Sequence, residues 1–406
     1  MSTYAEKKHY YDTVLNTDKT TFQTSNDEPT PIDCVEEMMS SIPDTFWKTP
    51  DLCILDPCCG NGNFGLVAQQ FLSPTAKMVF NDTNTRRLEV VKKVFALDTV
   101  DVTCMDFLSE FPTDRMFDLI MANPPYAKFS TDGRRASKNH NLVGDFIKKS
   151  LSILKPGGFL LYIVPDNWMS YSDRNTLILK LTSLQFHTLN IHTAKKYFKK
   201  IGSSFTWFLL ENTPYYTNFN VTGLWKKNEY SGMVNSCIRR FIPLYYTSTV
   251  QSLLKKTIDA DNEKFHVETS SFLHRYTKKK LISDTQTDAY PYRIIHTPTK
   301  TCYASIPHKY QDGYKVFISS TNVYGTFVDD CGMTQSIMFI RCKSKSEADR
   351  INTILQHPLY KFLNDICRWG NFNNIRVVQR FPIPSVPDDI QTSFELTANE
   401  LELVYR

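Results

Sequence analysis

The chain has 406 residues, 41% hydrophobic and 22% charged, with a formal net charge of +5, a soluble globular composition with room for two domains that each bury a core. No apolar run approaches 18 residues, and the opening segment carries Glu6, Lys7, Lys8, Asp12 and Asp18, which excludes a membrane span and a secretory core there. An intracellular, soluble protein is expected. Ten cysteines are scattered without paired C-x-x-C spacing, so reduced thiols and no metal site are expected. Charge is uneven: residues 1–235 hold 25 Lys+Arg against 25 Asp+Glu, residues 236–384 hold 21 against 12, and residues 385–406 hold 1 against 5. A basic second half reads either as a solvated face or as a nucleic-acid footprint.

In chain order, residues 1–29 are polar and aromatic without a period. Thr30-Pro31 then opens a helix to Ser41 by Thr capping and Pro in the first turn. Leu52-Cys-Ile-Leu-Asp56 reads as a strand ending in a carboxylate, followed by Pro57-Cys-Cys-Gly60-Asn-Gly62-Asn-Phe64 and a helix over residues 65–72. Strand, glycine turn and helix form the first unit of a nucleotide-binding α/β fold, with Gly60 and Gly62 permitting close backbone approach to a ligand. Position 65 is Gly, yet the run is not read as the phosphate-binding fingerprint of dinucleotide folds; a nucleoside cofactor without phosphates, such as S-adenosylmethionine, fits better.

Lys77-Met-Val-Phe80 ends in Asn81-Asp82, twenty-six residues after Asp56, where a carboxylate grips ribose hydroxyls. Val100-Asp-Val-Thr-Cys104 ends in Met105-Asp106-Phe107, an acid for an adenine amino group and a ring to lie against the base. For each acid alone a surface role stays open. The fourth strand, Leu119-Ile-Met-Ala122, runs into Asn123-Pro124-Pro125-Tyr126. Two prolines cannot continue a ladder and stiffen the turn. The Asn123 amide oxygen and a proline carbonyl form a cup for the two hydrogens of a planar amine, with Tyr126 stacking on its plane. Ligands in such sheets bind at the carboxyl ends of the strands, so all four ends face one crevice.

These motifs resemble, in order, the gamma-class, TaqI-type N(6)-adenine DNA methyltransferases over residues 28 to about 210. Asp56-Pro-Cys-Cys-Gly60-Asn-Gly62-Asn-Phe64 resembles the family's D-P-x-x-G-x-G-x-F loop. Asn141-Leu-Val-Gly144-Asp-Phe146 and residues 154–165 resemble the helix and strand after the cup, and residues 197–208 resemble the segment that clamps the extruded base. The resemblance implies an S-adenosylmethionine-dependent, Rossmann-like α/β fold in residues 1–235 and a mixed α+β target-recognition domain in residues 236–406. It places Thr30 on the methionine carboxylate, Asp56, Gly60, Gly62, Asp82, Asp106, Phe107 and Asn123 around the cofactor, Asn123, Pro124 and Tyr126 in catalysis, and Tyr126 and Phe198 on either face of the base. Packing under a strand is the alternative for Phe198. The Cys58-Cys59 pair, Asn61, Asn63 and the short Asp82 depart from the usual pattern.

The implied reaction moves a methyl group from S-adenosyl-L-methionine to the 6-amino group of a flipped-out adenine in duplex DNA, as in a restriction-modification system. RNA adenine or protein glutamine methylation is the alternative, because those enzymes share the cup. Lys199, Lys200, Arg239, Arg240, Lys278 and Lys279 are the candidate DNA contacts; His140 and His187 are read as loop or core residues. A monomer, with any cognate restriction endonuclease acting separately, is expected. The last 22 residues read as an acidic tail or short surface helix.

Overall fold

The computed structural model describes residues 3–18, 28–126, 142–199, 202, 204–321 and 323–406. The chain divides into two units, Met1–Trp168 with Thr176–Arg239, and Met169–Asn175 with Arg240–Arg406. The division falls four residues beyond the expected 235/236 boundary, and residues 169–175 go with the second unit.

The first unit is built on a sheet of β1 (Cys53–Asp56), β2 (Lys77–Asn81), β3 (Val100–Thr103), β4 (Phe117–Ala122), β5 (Leu154–Pro165), β6 (Leu184–Ile191), β7 (Phe205–Pro214), β8 (Phe219–Trp225) and β9 (Asn228–Val234). Their order is β3-β2-β1-β4-β5-β7-β6-β8-β9. β1 to β5 run parallel, and β7 is antiparallel between β5 and β6. β1, β2, β4 and β5 read as near-continuous apolar runs because both faces are covered. The strand order reverses between β1 and β4, the place where an open α/β sheet leaves a crevice at its carboxyl ends. Residues 205–210 and 218–222 read from the sequence as the last strands of this sheet; β6 and β9 were not anticipated, and β9 extends the sheet beyond the second of them.

Helices α1 (Tyr4–Tyr10), α2 (Ile32–Met39), α3 (Asp44–Trp47), α4 (Asn63–Ala68), α5 (Thr85–Val94), α6 (Val143–Ser152) and α7 (Thr176–Thr182) accompany these strands. α2 begins one residue later than expected, with Pro31 at its N-cap and no side-chain cap. The Thr30 hydroxyl, expected to cap it, is engaged elsewhere. Cys34, Val35 and Met38 of α2 share a core with Leu66 and Val67 of α4 and with Leu161, Ile163 and Leu209 of the sheet.

The glycine loop shows why its spacing matters. Gly62 has φ of +87°, a left-handed turn that starts α4 at Asn63, two residues earlier than expected. Gly65 does stand three residues after Gly62, and a Cβ there would lie 2.2 Å from Cζ of Phe80. Gly65 therefore has the packing role of the third glycine in such runs, which the sequence analysis did not give it: it lets α4 lie against β2.

The second unit is mixed α+β, as expected. Its sheets are β10-β17-β14-β15 and β11-β13-β12-β16, made of β10 (Glu268–Thr269), β11 (Ile282–Ser283), β12 (Tyr292–Thr297), β13 (Lys300–Ala304), β14 (Lys315–Ser319), β15 (Thr326–Asp329), β16 (Gly332–Met333) and β17 (Ile337–Arg341). The helices are α8 (Ser248–Lys256), α9 (Lys345–Leu355), α10 (Pro358–Ile366), α11 (Ile375–Val378), α12 (Ile390–Ser393) and α13 (Ala398–Tyr405). The acidic tail forms α13 through a Thr397–Glu400 capping box. Glu400 is buried and accepts a 2.8 Å bond from Nζ of Lys256. Among the described residues no helix is long and apolar enough to cross a membrane.

Candidate functional site

Three of the four strand ends expected to meet, those of β1, β2 and β3, are tied together by Asn81, to which the sequence assigned no role. Its Nδ2 donates to the carbonyls of Pro57 and Met105, both at 3.0 Å, and its Oδ1 accepts from the Thr103 hydroxyl at 2.9 Å. One buried amide thus fixes the segments that follow β1 and β3 against β2. An amide at the end of an otherwise apolar strand was the available signal.

Asp56 closes β1 and is 1% exposed. Its Oδ1 accepts weakly from the Cys58 N–H at 3.4 Å, and its Oδ2 is buried with no partner among the described residues. Burial, reinforced by the nearby Asp82 charge and opposed by the Cys58 N–H, holds its carboxyl well above the usual carboxylate range. Asp82 takes part in shaping the glycine loop: Oδ2 accepts from the Gly60 N–H and Oδ1 from the Asn84 N–H, each at 2.8 Å. Asp106 is exposed, and its Oδ1 accepts from the N–H groups of Leu108 and Ser109 at 2.9 and 3.1 Å. Phe107 is buried, with ring centroids 5.4 Å from Phe111 and 5.3 Å from Phe146. Its ring belongs to the core in this structure and presents no open face to a base.

β4 delivers Asn123-Pro124-Pro125-Tyr126 directly from its last residue, Ala122. The Asn123 amide is held at both ends: Nδ2 donates to Oγ1 of Thr30 at 3.0 Å, and Oδ1 accepts from the Tyr126 hydroxyl at 2.5 Å. The Cys58 thiol approaches the Asn123 carbonyl at 3.6 Å, so the unusual cysteine of the loop after β1 touches the cup after β4. The Tyr126 ring is half-buried, with its centroid 6.0 Å from Phe205. Phe198 is 3% exposed and packs on the same ring at 4.8 Å. The two rings expected to flank a base are here both neighbours of Phe205.

The basic candidates divide. Lys199, Arg240 and Lys279 are exposed. Lys278 is exposed too, its Nζ donating to the Phe272 carbonyl at 2.8 Å and lying 5.2 Å from that ring. Arg239 is buried at 7%, which removes it as a surface contact: its backbone N–H donates to the Thr182 hydroxyl at 3.0 Å, drawing the segment inward. Lys200, His140 and Asn141 lie outside the described residues. His187 pairs with Glu211 at 2.7 Å.

Residues 75–204 match the model of the Eco57I restriction-modification methylases. Over that stretch the chain is similar to the restriction-modification methylases. The type II methyltransferase M.TthHB8I of Thermus thermophilus is 29% identical over 145 residues, 30% of this chain and 32% of the relative. The ribosomal RNA large subunit methyltransferase G of Shewanella amazonensis is 28% identical over 139 residues, 33% of each chain. The chain thus spans about a third of the length of these relatives. Among solved structures, the ATP-dependent type ISP restriction-modification enzyme LlaBIII bound to DNA matches with a TM-score of 0.51 and 10% identity, over 84% of this chain and 35% of that one; the likeness is one of fold.

The cofactor is S-adenosyl-L-methionine, and the loop residues of the first unit suit it. Among the described residues, Oδ2 of Asp56, Oδ1 of Asn61 and Oδ1 of Asn63 are buried acceptors without partners. A ligand bearing an ammonium, ribose hydroxyls and an adenine amine presents the missing donors.

Proposed function

We propose that this methylase modifies the 6-amino group of adenine in duplex DNA, at a site read by the second unit. The reading is carried by the Asn123 amide, fixed at the end of β4 with its oxygen on the Tyr126 side. The adenine amine is a poor nucleophile because its lone pair is delocalised into the ring. The Asn123 oxygen and the Pro124 carbonyl accept its two hydrogens and favour a pyramidal nitrogen, so positioning does most of the catalytic work. The bound cofactor supplies an electrophilic methyl group on a sulfonium. A new N–C bond forms as the S–C bond breaks, and the extra amine proton leaves to solvent afterwards, so no general base is required.

The arriving amine takes the position on Oδ1 that the Tyr126 hydroxyl now holds. Extruding the base costs a few kcal/mol, and stacking on Tyr126 offsets about 1–3 kcal/mol of it. Phe198 joins only if its ring leaves Phe205. Asp56, Asn61 and Asn63 hold the cofactor's donors, and Asp82 keeps the Gly60 turn in shape for them. Lys199, Arg240, Lys278 and Lys279 are phosphate contacts in this reading, and any cognate endonuclease acts separately.

A second reading, RNA methylation, is favoured by the ribosomal RNA methyltransferase relative. Tritiated S-adenosylmethionine offered in parallel to unmethylated duplex DNA, structured RNA and a protein extract separates the readings. Label recovered from DNA as 6-methyladenine is the expected result; label confined to RNA or to protein glutamine transfers the cup to that substrate and removes DNA reading from the second unit.

A further inference from the structure

Thr30 precedes α2 and is 4% exposed. The family resemblance places it on the methionine carboxylate, yet its hydroxyl oxygen accepts the 3.0 Å bond from Nδ2 of Asn123. Its carbonyl accepts a 2.7 Å bond from Nδ2 of Asn63, itself buried in the first turn of α4. Thr30 is thereby pinned between the helix that follows the glycine loop and the end of β4, 93 residues away in sequence. Neither bond follows from sequence spacing.

An asparagine amide has two ends of nearly equal shape and opposite polarity. Oxygen toward the amine makes an acceptor; nitrogen there makes a donor that repels N–H. A bond that consumes the nitrogen on the far side decides the matter. We propose that Thr30 is a positioning residue for methyl transfer: its hydroxyl holds Nδ2 of Asn123 and so keeps Oδ1 turned toward the substrate amine. The inference rests on the amine-methylation reading above and goes beyond it, giving Thr30 a task in the chemical step. Removing that hydroxyl leaves Nδ2 of the half-buried Asn123 without this bond, and the amide then samples the reversed orientation.

Thr30→Val preserves the branched shape and removes the acceptor; Thr30→Ser restores it. For each variant and the wild type, the single-turnover methyl-transfer rate at saturating cofactor and the S-adenosylmethionine dissociation constant are measured separately. A misplaced reacting group costs on the order of 100-fold, so Thr30→Val is expected to lower the rate about 10- to 100-fold. The cofactor constant should stay within about twofold, and Thr30→Ser should recover most of the rate. A Thr30→Val protein whose cofactor affinity falls while its saturated rate holds makes Thr30 a cofactor contact and overturns the proposal. So does an unchanged rate. Wild-type transfer to RNA or protein instead of DNA changes the substrate reading alone, and the same comparison on that substrate still decides the role of Thr30.

Discussion

The hydroxyl of Tyr126 donates to Oδ1 of Asn123 at 2.5 Å, on the oxygen to which the proposed reaction assigns the substrate amine. Hydroxyl and ring therefore have opposing effects on the bound base: the hydroxyl competes for the acceptor, and the ring stacks. Tyr126→Phe removes only the competitor and should keep the methyl-transfer rate within about threefold of wild type, while Tyr126→Ala loses the stacking face, about 1–3 kcal/mol, or roughly 5- to 150-fold in affinity for the extruded base. Asn123→Ala removes the acceptor itself, with an expected loss of about 100- to 1,000-fold in rate and cofactor binding largely retained. Rates on one DNA substrate and cofactor titrations check all three. A Phe variant as poor as the Ala variant would mean that the phenol takes part in the chemistry.

Asp56 ties cofactor binding to pH. In the unfolded chain its carboxyl has the ordinary value near 3.8, and burial raises it in the fold. The stability contributed by the neutral acid is fully present below about pH 4 and is lost as pH rises through the raised folded value, because there the folded state retains a proton that the unfolded state has released. Urea unfolding without cofactor should show wild type losing stability relative to Asp56→Asn as pH climbs from 5 toward 7. A cofactor ammonium reaching Oδ2 reverses the preference and expels the proton. Calorimetry in buffers of different ionisation enthalpy should then report up to one proton released on binding to wild type and none for Asp56→Asn. Buffer-independent binding by the wild type rules out the acid as the ammonium partner.

What the sequence discloses about this site is its strand ends, because β1, β2 and β4 are apolar for reasons of burial and each gives way to a polar residue, while β3 shows its end by β-branched residues running into Asp106. Asp56, Asp82, Asp106 and Asn123 all fall at or just beyond carboxyl ends of the sheet. What those residues bond to was less legible. Asp82 and Asp106 each have a carboxylate oxygen accepting from nearby backbone N–H groups, and Phe107 and Phe198 are buried among other rings, choices made by tertiary packing rather than by local pattern. Arg239 carries the same charge as Arg240 but is buried, and adjacent letters alone cannot separate them. Strand β6 is legible only after the fact: its apolar residues are interrupted by Gln185, His187 and Asn190, which bond to Phe186 and Thr217, to Glu211, and to Thr193 and Thr222.

In the second unit, residues 272–281 present a turn that suits a polyanion. Leu273 is fully buried beneath it, Nη2 of Arg275 donates to both carboxylate oxygens of Asp284, and the Tyr290 hydroxyl donates to the Lys280 carbonyl at 3.1 Å. From this frame Tyr276 projects 72% exposed, beside exposed Lys279 and Lys280. If the turn contacts DNA, Lys279→Ala and Lys280→Ala should each reduce the slope of log affinity against log salt by about one. Tyr276→Ala should weaken binding about 5-fold or more without changing the slope. Fluorescence anisotropy with a labelled duplex at several salt concentrations reads both. Melting temperatures should not move, since these side chains are open to solvent; unchanged affinity in all three variants would place the DNA surface elsewhere.

Gly65 tests how tightly the cofactor loop is packed. It is helical, so Ala there gains about 1 kcal/mol in helix propensity. Against that gain, the new Cβ would lie 2.2 Å from Cζ and 2.4 Å from Cε1 of Phe80 and 2.9 Å from Sδ of Met78. Both neighbours are buried, and Phe80 is already against Phe95 with centroids 4.7 Å apart. Overpacking of this kind costs about 1–3 kcal/mol, and so close an approach belongs at the upper end, leaving Gly65→Ala less stable by about 2 kcal/mol. The melting temperature should fall by roughly 4–8 °C. Gly144 in α6 is the control, because its Cβ would meet Cδ2 of Leu177 at 3.7 Å, an ordinary contact. Gly144→Ala should leave melting unchanged or raise it slightly. Equal melting shifts in the two variants would show that helix propensity alone governs both positions and that α4 does not press on β2 as closely as Phe80 indicates.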